Sequence, residues 1–251
     1  MYQPSEKAQQ IIEAISGFVR NEILPLEQQA GLSWAEPHPR AVLQQVWQRS
    51  CEQGFYNIML PEAIGGAGLS VSDLCAVKEA TVLTGSMLAP HILGELSGPP
   101  RIGHLFKVAS PFQVEAFLQP VCRAQKAVCF ALTESEAGSD ATAMKCRAVK
   151  QADGSYVING KKSWITSGPV AKYIVLFAMS EPDKGARGIT AFMIDTDKAG
   201  FGRGKTEPKL GIRASATCEI EFNDYVAQPE DVLGQEGEGF KIAMGVLDAG
   251  R

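Results

Sequence analysis

Long apolar runs are missing from this sequence: no stretch approaches the roughly 20 residues needed to cross a bilayer, so no membrane span is expected. Basic blocks are missing too. The 24 Lys and Arg are set against 28 Asp and Glu, giving a net charge of -4, and their even spread argues against a nucleic-acid partner. The six cysteines (Cys51, Cys75, Cys122, Cys129, Cys146 and Cys218) include no C-x-x-C pair and no metal-ligand spacing with the three histidines. Several sit in apolar runs, where Cys behaves as a small hydrophobe, and a reducing compartment suits them. The opening MYQPSEKAQQ has neither the basic-then-apolar pattern of a secretory leader nor Arg-rich transit character, so a cytoplasmic location is expected. Neither His91 nor His104 has a carboxylate or thiol arranged beside it as a relay, and both read as surface or core residues.

What is present is an ordinary globular composition, 45% hydrophobic and 21% charged over 251 residues, enough for one large domain or two modest ones. The first third reads as helical. Ser5 stands where a helix starts, Ile11, Ile12, Ile15, Phe18 and Val19 share one face, and Pro25 closes the segment. A second helix is expected over Pro39–Gln53, with Val42, Leu43, Val46 and Trp47 as its buried stripe and Gly54 as its stop. Leu60–Ser70 breaks the pattern with Pro61, Gly65, Gly66 and Gly68. It lacks the Lys-Ser/Thr of a phosphate loop and reads as a connection. Ser70 or Ser72 caps the next helix, whose buried side is Leu74, Val77 and Leu83. A short helix around Phe112–Leu118 follows.

From about Lys126 the period changes to two residues. Strands are expected at Ala127–Leu132, Lys145–Lys150, Ser155–Ile158, Ser163–Thr166, Tyr173–Met179, Gly188–Ile194 and Glu219–Phe222. Asp153-Gly154 and Asn159-Gly160 both read as hairpin turns. Short strands without intervening helices argue for an antiparallel barrel or sandwich, with a boundary near residues 122–126. Gly239–Arg251 turns helical again, with Phe240, Ala243, Met244 and Leu247 on one side. The fold class is therefore an all-α N-terminal domain followed by an antiparallel β-barrel or sandwich, and the expected limits are 1–122, 123–235 and 236–251.

Two stretches carry chemistry. In Phe130–Asp140, FALTESEAGSD, an apolar strand passes into hydroxyls, carboxylates and a Gly-Ser-Asp corner whose backbone N–H groups can face a phosphate. In Trp164-Ile165-Thr166, a flat aromatic face and a hydroxyl two residues on lean to the same side of a strand. Together they would grip a planar, polar-edged ring. Taken singly, the first reads equally well as a strand-to-loop junction, and the second reads better as a core Trp beside a surface Thr.

TESEAGSD, INGKKSWITSG, KLGIRAS and GEGFKIAMGVLDAGR, in this order and with LPEAIGGAGLS near the front, resemble the flavin-dependent acyl-CoA dehydrogenases over almost the whole chain. Ser135 departs from the family's Pro after Thr-Glu. The resemblance implies an N-terminal helical domain, a middle β-barrel and a C-terminal helical bundle, of which this chain reaches only the start. It implies FAD, lined by Phe130, Ala131, Leu132, Thr133, Gly138 and Ser139, with Trp164 and Ile165 against the ring and Thr166 near N5. Ser139, Asp248, Gly250 and Arg251 would touch the CoA thioester. The implied activity is α,β-dehydrogenation of an acyl-CoA with hydride passing to N5, an electron-transfer flavoprotein-like acceptor, and a homodimer or homotetramer. Some members carry the base at the position that is Gly250 here, so the base is expected beyond Arg251 and no catalytic residue within the chain. Two alternatives stay open: a non-catalytic flavin and acyl-CoA-binding subunit that needs a partner chain, and an acyl-CoA oxidase or flavin monooxygenase relative.

Overall fold

The computed structural model describes residues 2–33, 38–94, 102–211 and 215–248. They fall into two compact units, Met1–Gly103 with Cys122–Ala124, and His104–Val121 with Gln125–Arg251. Among the described residues no helix is long and apolar enough to cross a membrane, and no cluster of His, Cys, Asp and Glu could hold a metal ion.

The first unit is helical. α1 (Glu6–Phe18) starts at Ser5, whose Oγ accepts the Ala8 N–H at 3.2 Å. Pro25 does not end the segment as expected. A widened turn, Val19–Ile23, leads directly into α2 (Leu24–Ala30), which places Pro25 in a first turn where its missing N–H is not needed. Gly31, at φ 60°, is the actual stop. α3 (Arg40–Glu52) buries Val42, Leu43, Val46 and Trp47 as its spacing predicts. α4 (Val71–Val82) is capped by Ser70, and its Asp73 carboxylate accepts the Ser5 N–H and the Tyr2 hydroxyl, both at 2.9 Å, tying the starts of α1 and α4 together. Leu83 is exposed rather than buried, because the helix ends before it. In the Gly-rich connection, a Cβ on Gly66 would lie 1.9 Å from the Leu60 carbonyl oxygen, so a close crossing of the chain over itself requires that glycine.

The second unit opens with a helical run, α5 (Pro111–Gln113), a wide turn Val114–Leu118 and α6 (Gln119–Cys122). Gln113 is buried and donates to the carbonyls of Glu230 and Val232 at 2.9 and 2.8 Å. Among the described residues the sheet has eight strands: β1 (Val128–Ala131), β2 (Arg147–Lys150), β3 (Tyr156–Thr166), β4 (Tyr173–Met179), β5 (Ile189–Asp195), β6 (Phe201–Thr206), β7 (Thr217–Ala227) and β8 (Val232–Leu233). Their order is β6-β7-β3-β2-β4-β5-β8, with β1 on β4. The expected all-antiparallel pairing holds except along β4. That strand runs parallel to β1, from Val128↔Tyr173 to Ala131↔Leu176, and bridges β2 in parallel at Met179. Every residue of β4 is buried, the pattern of a strand covered on both faces. β6 escapes a period-two reading because Gly202 and Gly204 pass close against Glu221 and Glu219 of β7.

The Asn159-Gly160 hairpin does not form. Residues 156–166 make one continuous strand, with a bulge against β7 between Ile158 and Gly160. Gly160 has φ 143°, and Asn159 exchanges two 2.9 Å hydrogen bonds with Asp224. The Asp153-Gly154 turn does form, closed by Gln151 N–H to the Ser155 carbonyl at 2.8 Å. The last helix, α7 (Gly239–Asp248), buries Ile242, Ala243 and Val246, while of the residues expected on one side Ala243 is buried, Phe240 and Met244 half-buried and Leu247 exposed. Its Gly239 sits where a Cβ would come 2.8 Å from the Ile189 carbonyl oxygen of β5.

Candidate functional site

β1 alternates as a half-covered strand should: Cys129 and Ala131 are buried, Phe130 half-buried. Beyond it, two consecutive carbonyls are held. The Leu132 oxygen accepts from Lys162 Nζ at 3.0 Å, and the Thr133 oxygen accepts the Ser163 N–H at 2.9 Å. Glu134 and Ala137 then exchange backbone hydrogen bonds of 3.0 and 3.2 Å, which closes the turn at Ser135 without the family's proline. Gly138, Ser139 and Asp140 are exposed, and a Cβ on Gly138 would meet nothing within 4 Å. Asp140 is occupied in capping the next turn, accepting the Thr142 N–H at 3.0 Å.

Trp164 lies in a second bulge of β3, between Lys162 and Ile165, at φ 61°, a conformation uncommon for an aromatic residue. Its indole is 65% exposed. Ile165 turns into the core and Thr166 faces outward again, so Trp164 and Thr166 share the solvent side as their spacing predicts. The Ser163–Thr133 hydrogen bond sets this bulge beside the 132–137 turn. Thus the structure brings the two candidate stretches together at one end of β1 and β3. Ala131 and Ile165 are core side chains, and either would meet a ligand only through its backbone. Asp248 stands exposed at the end of α7 and makes no hydrogen bond or ion pair with residues 130–140. Gly250 and Arg251, and Ile212–Ala214 of KLGIRAS, lie outside the described residues.

The electrostatics of the turn rest on Glu134. Its carboxylate takes Lys162 Nζ at 2.8 Å, the Cys146 N–H at 3.0 Å and the Lys145 N–H at 2.7 Å. Burial pushes the carboxyl up, but the ammonium and the two amides outweigh that and hold it below the ordinary glutamate value. Glu136 is likewise held low, by its ion pair with Lys145 at the surface. Both carboxylates are ionised and engaged, so neither offers itself as a proton acceptor. Lys162 was not singled out by the sequence reading. The available signal is the two-residue period: Ile158, Gly160 and Lys162 share a phase, which turns the second lysine of Lys161-Lys162 inward.

The arrangement suits a planar ligand with polar edges. It offers an exposed aromatic wall at Trp164, hydroxyls at Thr133, Ser139 and Thr166, and the Thr133 N–H, which makes no hydrogen bond among the described residues. Residues 129–225 match the acyl-CoA dehydrogenase middle domain and residues 5–125 the acyl-CoA dehydrogenase N-terminal domain. A short-chain specific acyl-CoA dehydrogenase of Clostridium acetobutylicum is 36% identical over 245 residues, covering 95% of this chain and 61% of that protein. A chain of the electron transferring flavoprotein structure from Acidaminococcus fermentans superposes with a TM-score of 0.81 at 33% identity, over 100% of this chain and 63% of that one. The FAD complex of PigA gives 0.80 at 26% identity, over 98% and 63%. The chain spans less than two thirds of the length of these curated relatives. Helical unit, sheet unit and both domain matches agree, and the chain belongs to the acyl-CoA dehydrogenase family through its N-terminal and middle domains.

Proposed function

We propose that the chain provides the flavin face of an enzyme that dehydrogenates an acyl-CoA thioester between its α and β carbons. The observation that supports this most directly is the junction of the tethered Leu132–Ala137 turn with the Trp164 bulge, which presents donors and an aromatic wall on one solvent-facing surface. The family's cofactor is FAD, which when bound supplies the hydride acceptor. In this reading Trp164 packs against the ring system, the Thr166 hydroxyl bonds near N5, and the Thr133 N–H and hydroxyl bond the pyrimidine edge. Gly138 and Ser139 lie by the pyrophosphate, with the unhindered backbone of Gly138 admitting it, while Phe130 to Leu132 back the ring. Ser139, Asp248, Gly250 and Arg251 are assigned to the CoA thioester. The proton acceptor is not assigned within the chain, since Glu134 and Glu136 are both engaged. The same reading carries domain limits of 1–122, 123–235 and 236–251, an electron-transfer flavoprotein as acceptor, and a homodimer or homotetramer. Six free cysteines, four of them buried, suit the reducing cytoplasm.

The test is an absorbance titration of the chain with FAD and then, without oxygen, with an acyl-CoA, alone and with the C-terminal helical domain of a relative supplied. Flavin uptake in either preparation, with bleaching on adding thioester where the base is present, supports the reading. No uptake in either overturns it. Thr166→Val is expected to leave FAD binding intact and to slow flavin reduction by about tenfold, the worth of one hydrogen bond to a developing charge. A stopped-flow reduction rate equal to that of the unsubstituted chain removes Thr166 from the role.

A further inference from the structure

We infer that the buried Lys162–Glu134 pair is a positioning device for the flavin edge, orienting the Leu132–Thr133 peptide and strengthening its N–H as a donor; this rests on the flavin reading above. Lys162 is fully buried, and Glu134 is 9% exposed. A buried ion pair is weak evidence for stability, since removing two charges from water offsets their attraction, so its presence calls for another account. Geometry supplies one. Lys162 Nζ lies 2.8 Å from Glu134 Oε1, 3.0 Å from the Leu132 carbonyl oxygen and 3.8 Å from Met144 Sδ. The ammonium therefore joins the carboxylate to the one carbonyl whose peptide carries the Thr133 N–H.

Among the described residues no peptide bond is cis, and in a trans peptide the N–H points opposite to the C=O. Turning the Leu132 carbonyl toward the buried ammonium turns the Thr133 amide hydrogen away from it. The peptide on the other side of Thr133 is fixed as well, by the Ser163 N–H on the Thr133 carbonyl at 2.9 Å. A cation at the carbonyl end polarises the amide, and in a low-dielectric site a polarised donor binds a developing negative charge more strongly. Glu134 anchors the lysine from the far side, itself fixed by the Lys145 and Cys146 N–H groups at 2.7 and 3.0 Å. The neighbouring Lys161 is exposed and faces Glu221 and Glu219, so it carries the same charge without the same connection.

The test compares Lys162→Met with the unsubstituted chain, in whichever preparation takes up FAD, reading the FAD dissociation constant and the midpoint potential of the bound flavin. Lys162→Met is expected to weaken FAD binding about tenfold and to weaken binding of the reduced form a further tenfold, which lowers the potential by about 30 mV for a two-electron couple. Lys161→Met controls for charge. Lys198→Met, which breaks the 2.8 Å pair with buried Asp231 elsewhere in the same unit, controls for stability, and both controls should leave affinity and potential unchanged. If Lys162→Met does not fold, Glu134→Gln, which keeps an acceptor for the ammonium, is expected to weaken FAD binding by a similar factor. A folded Lys162→Met or Glu134→Gln chain with unaltered affinity and potential overturns the inference alone. Failure of both to fold while Lys198→Met folds also overturns it, by assigning the pair to the core. No FAD uptake by the unsubstituted chain overturns the flavin reading and the inference with it.

Discussion

Gly160→Ala is expected to destabilise the sheet unit by about 4 kcal/mol, combining overpacking of roughly 1–3 kcal/mol with strain of similar size. Gly160 has φ 143°, where an L side chain is strained whatever the space around it. Space is also absent. A Cβ there would come 2.7 Å from Cys146 Cα, 2.9 Å from its Cβ and 3.0 Å from its Sγ. The nearest atom is backbone, so rotating the cysteine side chain gives no relief. Cys146 in turn donates its N–H to Glu134, so any yielding of this segment loosens the turn beside Thr133. The expected record is a urea or thermal unfolding transition lowered by about 12 °C, with FAD binding weakened at temperatures where the variant is still folded. A loss below about 1 kcal/mol would mean that the bulge can move, and that β3 is not pinned against Cys146. Asn159→Ala is the milder companion, since it removes only the exposed exchange with Asp224.

Gly160 also shows why part of this fold was legible in the sequence and part was not. Asn-Gly is a local signal shared by tight turns and bulges, and the choice depends on Cys146 fourteen residues earlier, which no local pattern displays. Signals that complete themselves within a few residues read correctly. Ser5 and Ser70 cap the helices that follow them, and Asp153-Gly154 closes its hairpin. Those that depend on a partner read less well. Spacing puts Phe240, Ala243, Met244 and Leu247 on one side of α7 without saying which side is covered, and the structure, with Gly239 close against β5, buries Ile242, Ala243 and Val246. Pro25 looked like a stop, because the widened turn that restarts the helix ahead of it has no sequence signature. At the site the order of TESEAGSD and WIT pointed to one ligand surface. The connection itself, Ser163 to Thr133 and Lys162 to Leu132, had to be seen.

The second large effect concerns acid and the helical unit. His91 is 2% exposed, with its ring edge-on to Trp47 at 6.4 Å and to His38 at 5.8 Å between centroids. Its Nδ1 has no hydrogen-bond partner among the described residues. Burial, then His38, then Arg40 push its pKa down from 6.5 to about 4. Glu27 raises the pKa of His38, but burial outweighs it there, and among the described residues no carboxylate raises that of His91. The imidazole is therefore neutral when folded, while the unfolded chain takes up a proton near pH 6.5. The folded value lies below the unfolded one, so this group leaves stability unchanged above pH 6.5 and removes it progressively between pH 6.5 and 4. The full loss is about 3 kcal/mol, of which about 2.5 has gone by pH 4.5. His91→Leu should match or exceed the unsubstituted chain at pH 7, because an unpartnered buried nitrogen disappears with the ring. It should then lead by about 2.5 kcal/mol at pH 4.5 in urea unfolding followed by Trp47 fluorescence. A difference between the two chains that stays constant from pH 7 to 4.5 would show that His91 is charged, or hydrated, in the folded unit.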